Sequence, residues 1–331
     1  LTLTQVPAPP AWLADWKSAD VPGAGKVLLE VGTEAGFTGD CLALADEESG
    51  DGKEGELLLV CIGCDGDGKH VSVCSASTGD VLLTLRGHDD SVCCVAVQGD
   101  VIASSGKDKT IRLWSRAAAG ECVAILRGCE NPVYGLAMVG DTLLSGEGSS
   151  KVGKVRLWSV AAALALDMEE YAEPLAVYAE HFGVVWSVAF STTLALSASL
   201  DTTARVWPLT PKPGAGRTPS VARLAHPSPV FSVSAHGQLA ATGCSDGKVR
   251  LWSLVDFSCL RSLGGISESF AQAAMVHKPV LSVCLGRGVL LSGGDDRTVK
   301  LWSLAGDGEC VATLSHGATV RGTAMSRAGL I

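Results

Sequence analysis

Residues 277–302 read HKPVLSVCLGRGVLLSGGDDRTVKLW, and variants of this stretch recur along the chain. In each copy a Ser- or Gly-rich segment leads to a short apolar run that ends on tryptophan. The clearest other copies are residues 104–114 (SSGKDKTIRLW), 197–207 (SASLDTTARVW) and 242–252 (TGCSDGKVRLW), and residues 154–158 (KVRLW) close a looser one. The tryptophans fall at positions 114, 158, 207, 252 and 302, in steps of 44, 49, 45 and 50 residues. Steps of this length indicate a repeat architecture.

Four side chains keep a common spacing in four of these copies: a histidine, a serine or threonine, an aspartate and the tryptophan. The histidine precedes the tryptophan by 26, 26, 26 and 25 residues. The four sets are His88, Ser104, Asp108 and Trp114; His181, Ser197, Asp201 and Trp207; His226, Thr242, Asp246 and Trp252; and His277, Ser292, Asp296 and Trp302.

With these residues the chain resembles the WD40-repeat family, although its copies mostly end in Leu-Trp-Ser rather than Trp-Asp. The resemblance covers nearly the whole chain and implies an all-β fold, in which each repeat is one four-stranded blade of a β-propeller. It also implies that each set, here called a tetrad, hydrogen-bonds in series from carboxylate to imidazole to hydroxyl to indole N–H. Because buried polar groups are costly when unpaired, such a network would fix the loops of its blade.

The repeats predict a single domain over residues 11–331, after an extended, proline-rich lead-in at residues 1–10. Complete blades are expected at residues 41–86, 92–127, 133–180, 185–225, 230–276 and 280–315. A further blade would combine N-terminal strands at residues 11–16 and 26–31 with C-terminal strands within residues 319–331. Such closure removes exposed sheet edges. The expected fold is therefore a seven-bladed WD40 β-propeller.

Composition narrows the classes of partner and cofactor. The net charge of −9 argues against a general nucleic-acid binder, which needs a basic surface. No apolar run approaches the roughly 18 residues of a membrane-spanning helix, so no membrane insertion is expected. The twelve cysteines sit mainly at strand positions and are expected to be reduced, which favours a cytoplasmic or nuclear protein. Cys61-x-x-Cys64 lacks a second ligand pair, so neither a metal nor another cofactor is expected.

The recurring His, Ser and Asp residues raise the question of a hydrolase triad. A catalytic set should occur once, whereas this one recurs in each blade at constant spacing. The chain also lacks a Gly-x-Ser-x-Gly elbow, a phosphate-binding loop and a His-Glu-x-x-His motif. We therefore expect a protein that is not an enzyme.

The resemblance implies a binding surface at the mouth of the central channel, on the face that carries the tetrads. In this family the residue after the inner-strand valine points there. These residues are Asp40, Cys93, Tyr134, Trp186, Phe231, Leu281 and Arg321, and Lys107 adds a charge nearby. Tyr134, Trp186 and Phe231 would lie side by side on successive blades and could anchor a protein partner. The alternative is that their rings pack inward as core.

The leading hypothesis is a non-enzymatic scaffold or adaptor that binds a peptide or partner domain on this face. A second is a structural subunit of a large assembly, such as a ciliary, ribosomal or coat complex, held through insertions such as residues 161–173 and 264–278. The short turns between first and second strands also resemble the propellers of F-box/WD ubiquitin-ligase receptors, which read phosphorylated degrons with arginines. Only Arg321 and Lys107 match such positions here, and the chain contains no F-box.

Overall fold

The computed structural model describes residues 42–46, 57–62, 68–75, 78, 80–166, 172–210, 218–264 and 278–325. These residues form six antiparallel sheets of four strands each, and every sheet is built from four consecutive strands of the chain. The sheets are here called blades 1 to 6. The expectation of an all-β protein made of four-stranded repeats is thereby confirmed.

Blades 1 to 3 cover the first half of the described residues. Blade 1 consists of β1 (Leu42–Asp46), β2 (Leu57–Ile62), β3 (His70–Ser75) and β4 (Val81–Arg86). Blade 2 consists of β5 (Val92–Gln98), β6 (Val101–Gly106), β7 (Ile111–Ser115) and β8 (Glu121–Leu126). Blade 3 consists of β9 (Val133–Val139), β10 (Thr142–Gly148), β11 (Gly153–Ser159) and β12 (Ala176–His181).

Blades 4 to 6 repeat this order. Blade 4 consists of β13 (Val185–Phe190), β14 (Leu194–Ser199), β15 (Thr203–Pro208) and β16 (Ala222–Ala225). Blade 5 consists of β17 (Val230–His236), β18 (Leu239–Cys244), β19 (Val249–Ser253) and β20 (Cys259–Leu263). Blade 6 consists of β21 (Val280–Leu285), β22 (Val289–Gly294), β23 (Thr298–Ser303) and β24 (Cys310–Ser315). These strands match five of the six expected complete blades to within one residue. Blade 5 was expected to extend over residues 230–276, but its last strand ends at Leu263, and residues 265–277 lie outside the described residues.

The core lies between successive blades. Five tryptophans near the ends of the third strands are buried there: Trp114, Trp158, Trp207, Trp252 and Trp302. Around Trp207, for example, Leu144 and Val155 of blade 3 pack with Val185 of blade 4. Small residues let the blades approach closely, because a side chain on Gly153 would come within 2.1 Å of the Gly183 carbonyl oxygen. The second strands of blades 2 to 6 are thus covered on both faces, which explains their short runs of small and apolar residues, whereas the outer strands β4, β16 and β24 are partly exposed.

The insertion at residues 161–173 lies between the third and fourth strands of blade 3, and a helix α1 spans Val160–Leu164 at its start. Its N-cap is Ser159, whose Oγ accepts a hydrogen bond from Ala162 N at 3.0 Å. Serine is a preferred residue for this role because its oxygen satisfies a free amide of the first turn. Residues 167–171 of the insertion lie outside the described residues.

The strands predicted at residues 11–16 and 26–31 lie outside the described residues, as do residues 326–331. Residues 319–325 are described but are not paired as a strand. They nevertheless lie beside β21 as one inner strand lies beside the next. Thr323 N donates to Ser282 Oγ at 2.9 Å, just as Val233 N donates to Ser187 Oγ at 3.2 Å. A strand needs a partner within its sheet, and the predicted partners are not described, so the count of seven blades stays a prediction.

Nine cysteines are free in the part of the chain whose side chains are described, and the reduced state of the protein stays a prediction. Within the described ranges no cluster of His, Cys, Asp or Glu is arranged to hold a metal ion. The same residues include no helix of the length and apolarity needed to cross a membrane.

Candidate functional site

Blades 2 and 4 contain the complete predicted tetrad. In blade 2, His88 Nδ1 lies 2.7 Å from Asp108 Oδ2, and His88 Nε2 lies 2.7 Å from Ser104 Oγ. Trp114 Nε1 donates to the same hydroxyl at 2.8 Å. In blade 4 the corresponding distances are 2.7, 2.7 and 2.9 Å. A neutral histidine that donates from Nδ1 and accepts at Nε2 satisfies every polar atom of the series.

The aspartates of these two tetrads are ionised. Burial alone would raise the pKa of Asp108, but hydrogen bonds from His88 and from the Thr110 backbone outweigh it and lower the pKa to about 2. The pKa of Asp201 is lowered in the same way, by His181 and Thr203 against burial. Burial also lowers the pKa of His181. The pair in blade 4 is therefore a carboxylate that accepts from a neutral imidazole.

The predicted tetrad of blade 5 is wrong in one link. His226 Nε2 lies 2.8 Å from Thr242 Oγ1, and Trp252 Nε1 donates to that oxygen at 2.9 Å. However, His226 Nδ1 lies 3.0 Å from the Leu224 carbonyl oxygen instead of reaching Asp246. Asp246 is paired with Arg250, whose Nη2 lies 2.6 Å from Oδ2. Asp246 is bound by the guanidinium of Arg250 because a charged donor forms a stronger hydrogen bond with a carboxylate than a neutral imidazole does.

The tetrad of blade 6 is described in part. Trp302 Nε1 donates to Ser292 Oγ at 2.9 Å, and Asp296 Oδ2 accepts from Lys300 Nζ at 2.8 Å. His277 lies outside the described residues. The serine–tryptophan link is thus common to the four predicted tetrads, whereas the aspartate changes partner with the sequence of the blade.

Blade 3 contains a buried ion pair that the sequence reasoning did not find. Glu147, fully buried, accepts from Arg156 Nε at 2.8 Å and from Asn131 N at 2.9 Å. Trp158 Nε1 still donates to Ser145 Oγ at 2.9 Å. Burial, aided by the charge of Glu147, raises the pKa of the nearby Cys129 thiol to about 12. Cys129 replaces the tetrad histidine in sequence, and the glutamate with its arginine provides the charged pair of this blade.

The altered network of blade 5 predicts a pH dependence of stability. Burial, with a smaller effect from Arg250, lowers the pKa of His226 from 6.5 to about 4. Between pH 6.5 and pH 4, His226 binds a proton in the unfolded chain but stays neutral in the folded chain. The free energy of unfolding therefore falls as the pH drops through this window. Between about pH 7 and pH 5 this one histidine should account for a loss of about 2 kcal/mol.

Urea unfolding of the wild type and of His226→Gln at both pH values tests this expectation. The loss on acidification should be about 2 kcal/mol smaller in the variant, whatever its stability at neutral pH. An equal loss in the two proteins would contradict the lowered pKa of His226, because the histidine would then bind protons equally in the folded and unfolded states.

The predicted binding residues share a structural feature that explains their orientation. Between the first two strands of blades 2 to 6 the pairing slips by one residue, immediately after the inner-strand valine in four blades and around the corresponding valine in blade 3. The extra residues are Cys93, Tyr134, Trp186, Phe231 and Leu281. A bulge of this kind takes a side chain out of the regular alternation and re-aims it. The bulges occur at the tetrad ends of the inner strands.

Three of these residues, Tyr134, Trp186 and Phe231, form one contiguous group, here called the aromatic arc. The ring centroids of Tyr134 and Trp186 lie 4.7 Å apart at an angle of 50°. Those of Trp186 and Phe231 lie 6.2 Å apart at 58°. Trp186 is 36% exposed, and its two neighbours are partly exposed, so the rings are not packed inward as core.

The remaining predicted residues are distributed around the arc. Leu281 is partly exposed at the bulge of blade 6, while Lys107 and Arg321 are exposed. Asp40 lies outside the described residues. The sequence reasoning missed Phe182, which follows the tetrad histidine of blade 4 and is 75% exposed. An aromatic residue in a loop position taken by aspartate in blade 2 and proline in blade 5 was the available signal.

The geometry also bears on the question of a hydrolase triad. Ser104 and Ser197 are fully buried, and each hydroxyl is held between an imidazole and an indole N–H. A nucleophile must reach a substrate carbon, and these oxygens are closed off by their own blades. The His–Ser–Asp sets are therefore structural.

Comparison with known proteins supports the repeat assignment. A family model described as "WD domain, G-beta repeat" matches residues 79–115, 172–208, 219–253 and 274–303. The matched segments include the tryptophans of blades 2, 4, 5 and 6. Blades 1 and 3 are the two whose sequences depart most from the repeat, and neither is matched as a whole.

Related proteins share the repeats at low identity. "Nuclear distribution protein PAC1" of Coccidioides posadasii is 28% identical over 250 residues, which cover 71% of this chain and 44% of the relative. "Telomerase protein component 1" of Mus musculus is 26% identical over 231 residues, covering 66% of this chain and 8% of the relative. "WD repeat-containing protein pop1" of Schizosaccharomyces pombe is 45% identical over 65 residues, covering 19% of this chain and 8% of the relative.

The match spans less than half the length of these relatives. Proteins of the WD-repeat family generally act as non-enzymatic scaffolds for protein interactions. Because each matched repeat ends with the third strand of a described blade and includes its link from the indole N–H to a Ser or Thr hydroxyl, this chain is a WD40-repeat protein.

Proposed function

We propose that this chain is a scaffold or adaptor that binds a peptide or partner domain on the tetrad face, with the aromatic arc as its anchor. The observation that carries the proposal is the contact between three bulged aromatic side chains from three adjacent blades. Only 5% of the residues are aromatic, so three in one exposed group is an unusual concentration. Large aromatic side chains dominate the binding energy of protein interfaces.

The surroundings of the arc support the same proposal. Pro229 and Pro279, each two residues before a bulged residue, restrict the backbone at the rim and limit the entropy lost on binding. Phe182 adds a second exposed ring on the adjacent loop of blade 4. An exposed aromatic group bordered by rigid loops is typical of a site that receives a partner side chain.

A structural subunit of a larger assembly is the second candidate, and one observation favours it. Val139 and Leu175 are each 56% exposed and lie at the ends of strands opposite the tetrads. A subunit held at that end would bury them. The degron-reading alternative has weaker support, since Lys107 and Arg321 are its only matching basic residues at the mouth.

A quantitative pull-down from native cell extract tests the leading proposal. The wild type is compared with the triple variant Tyr134→Ala/Trp186→Ala/Phe231→Ala, after circular dichroism has shown that both are folded. Specific partners should be lost from the triple variant, because truncation of interface anchors typically costs about 2 kcal/mol or more each.

The matched control is Val139→Ala/Leu175→Ala, which removes exposed apolar groups at the opposite end. Retention of partners by this control and their loss from the triple variant would support the aromatic arc. The reverse pattern would contradict the arc and favour the structural-subunit candidate.

We propose a cytoplasmic or nuclear compartment on the basis of the free cysteines.

A further inference from the structure

We propose that the partner of the tetrad face is a peptide segment with an apolar or aromatic anchor next to a run of acidic residues. This inference rests on the proposed function and adds the chemistry of the partner. It is carried by the distribution of charge around the aromatic arc, which has an uncharged side and a basic side.

The uncharged side is formed by the tetrad-face loops of blades 4 and 5. In these loops, residues 182–184, 200–202, 226–229 and 245–248, only Phe182 and Pro227 are exposed, and Lys248, their one basic residue apart from the buried His226, is half-buried. Their aspartates are engaged within the fold, Asp201 with His181 and Asp246 with Arg250. Trp186 and Phe231 border this region. A partner side chain here would meet rings, prolines and buried backbone, so an apolar or aromatic anchor fits best.

The basic side is formed by the loops of blades 2 and 3 next to Tyr134. Lys107, Lys109 and Lys151 are exposed and form no ion pair with any described residue. Lys107 follows Ser105, whose hydroxyl donates to the Val133 carbonyl oxygen at 3.1 Å, directly before Tyr134. Lys151 lies in the turn closed by the bond from Ser149 N to Val152 O at 2.8 Å. Both loops are therefore tied to the strand that carries one end of the arc.

The other charges near this side are compensated or mixed in sign. Glu130 is paired with Lys154 at 2.5 Å. Asp89 and Asp90 are exposed on the preceding loop, where Lys69 Nζ donates to the Asp89 carbonyl oxygen at 2.7 Å. On the far side of the arc, blade 6 exposes Lys278, Asp295 and Arg297, which have no uniform sign. On the side next to Tyr134, the exposed Lys69, Lys107, Lys109 and Lys151 outnumber the exposed Asp89 and Asp90, so one end of the arc is net basic.

The net charge of −9 for the whole chain does not reverse this preference. At physiological ionic strength charges are screened over a Debye length of about 8 Å, so distant carboxylates act weakly on a bound peptide. Lysines that touch the peptide act at short range, where they set specificity and the salt dependence of association.

Fluorescence anisotropy with labelled synthetic peptides tests the inference on the intact chain. The three peptides share the anchor Leu-Pro-Phe and differ in the run of residues beside it, which consists of glutamates, glutamines or lysines. In low salt the glutamate peptide should bind at least about tenfold more tightly than the lysine peptide, and added salt should reduce this ratio.

Three variants assign the effect to its residues. Lys107→Gln/Lys151→Gln should reduce the glutamate preference to about threefold or less, while Arg223→Gln, which removes an exposed charge from outer strand β16, should leave it unchanged. Trp186→Ala should weaken binding of all three peptides by about tenfold or more.

Equal binding of the three peptides, or a glutamate preference that survives in the double lysine variant, would overturn the acidic-partner inference. If Trp186→Ala still abolished that binding, the arc would remain the site and the proposed function would stand. Failure of every peptide to bind would overturn the inference of a short acidic ligand, and the pull-down would then decide the proposed function separately.

Discussion

Replacement of Arg156 by methionine is expected to lower the free energy of unfolding by about 3–5 kcal/mol. Glu147 is completely shielded from water, and Arg156 lies 2.8 Å from its carboxylate. Methionine would keep the aliphatic contacts but leave the carboxylate with only the Asn131 amide as a described partner. Removal of one member of a buried pair leaves a desolvated charge, which costs more than the pair contributes. Urea unfolding followed by circular dichroism measures the loss.

Lys154→Met is the matched control, since Lys154 lies on the same strand and pairs with Glu130, which is 63% exposed. Its loss should be below about 1 kcal/mol because an exposed pair is screened by water. The double variant Glu147→Gln/Arg156→Met should regain part of the stability lost by Arg156→Met. If Arg156→Met were no more damaging than Lys154→Met, Glu147 would have to be neutral in the folded protein.

Replacement of Trp207 by alanine is the second change with a large expected effect, about 3–5 kcal/mol. Trp207 is fully buried between blades 3 and 4, and its ring stacks on Tyr178 with centroids 5.1 Å apart. Alanine would leave a cavity and would also remove the indole donor to Ser197. Because the ring joins two blades, thermal unfolding should remain one transition at a lower midpoint.

Trp186→Ala serves as the control, because it removes the same side chain from an exposed position. Trp186 is 36% exposed and its ring lies against Tyr134 and Phe231, so its loss should cost only about 1 kcal/mol of stability. The two variants should thus distinguish two roles of tryptophan in this protein, since Trp207 stabilises the fold and Trp186 is proposed to support binding. Comparable losses of stability in the two variants would contradict this division.

Much of the fold could be predicted because repetition makes each residue informative about its equivalents. Four copies of one pattern placed Trp114, Trp207, Trp252 and Trp302 at the same depth of their blades, each with its indole donating to a Ser or Thr hydroxyl ten residues earlier. Strand boundaries followed because an antiparallel hairpin with a short turn has little freedom of register. The positions of the arc followed from the same register.

The polar networks were less predictable, because a carboxylate can pair with a histidine, an arginine or a lysine. Which of these it binds depends on their distances in the folded structure. Asp246 has the spacing of a tetrad aspartate, yet Arg250 takes it and His226 turns to a carbonyl oxygen. In blade 3 the sequence suggested only lost tetrad residues, whereas Glu147 and Arg156 form a buried pair nine residues apart. Neither outcome follows from the spacing of residues in the sequence, since both depend on which basic side chain lies within hydrogen-bonding distance of the carboxylate in the folded chain.

Repeat spacing was therefore sufficient for the blade pattern and the buried tryptophans, and the family resemblance implied the arc residues. Tertiary structure decided which rings touch, which lysines stay unpaired with described residues and how far Phe182 projects into solvent. The physical reason is that backbone hydrogen bonding and apolar periodicity are local properties of a repeat. Ring contacts and charge pairing instead join residues of different blades and depend on how closely those blades pack.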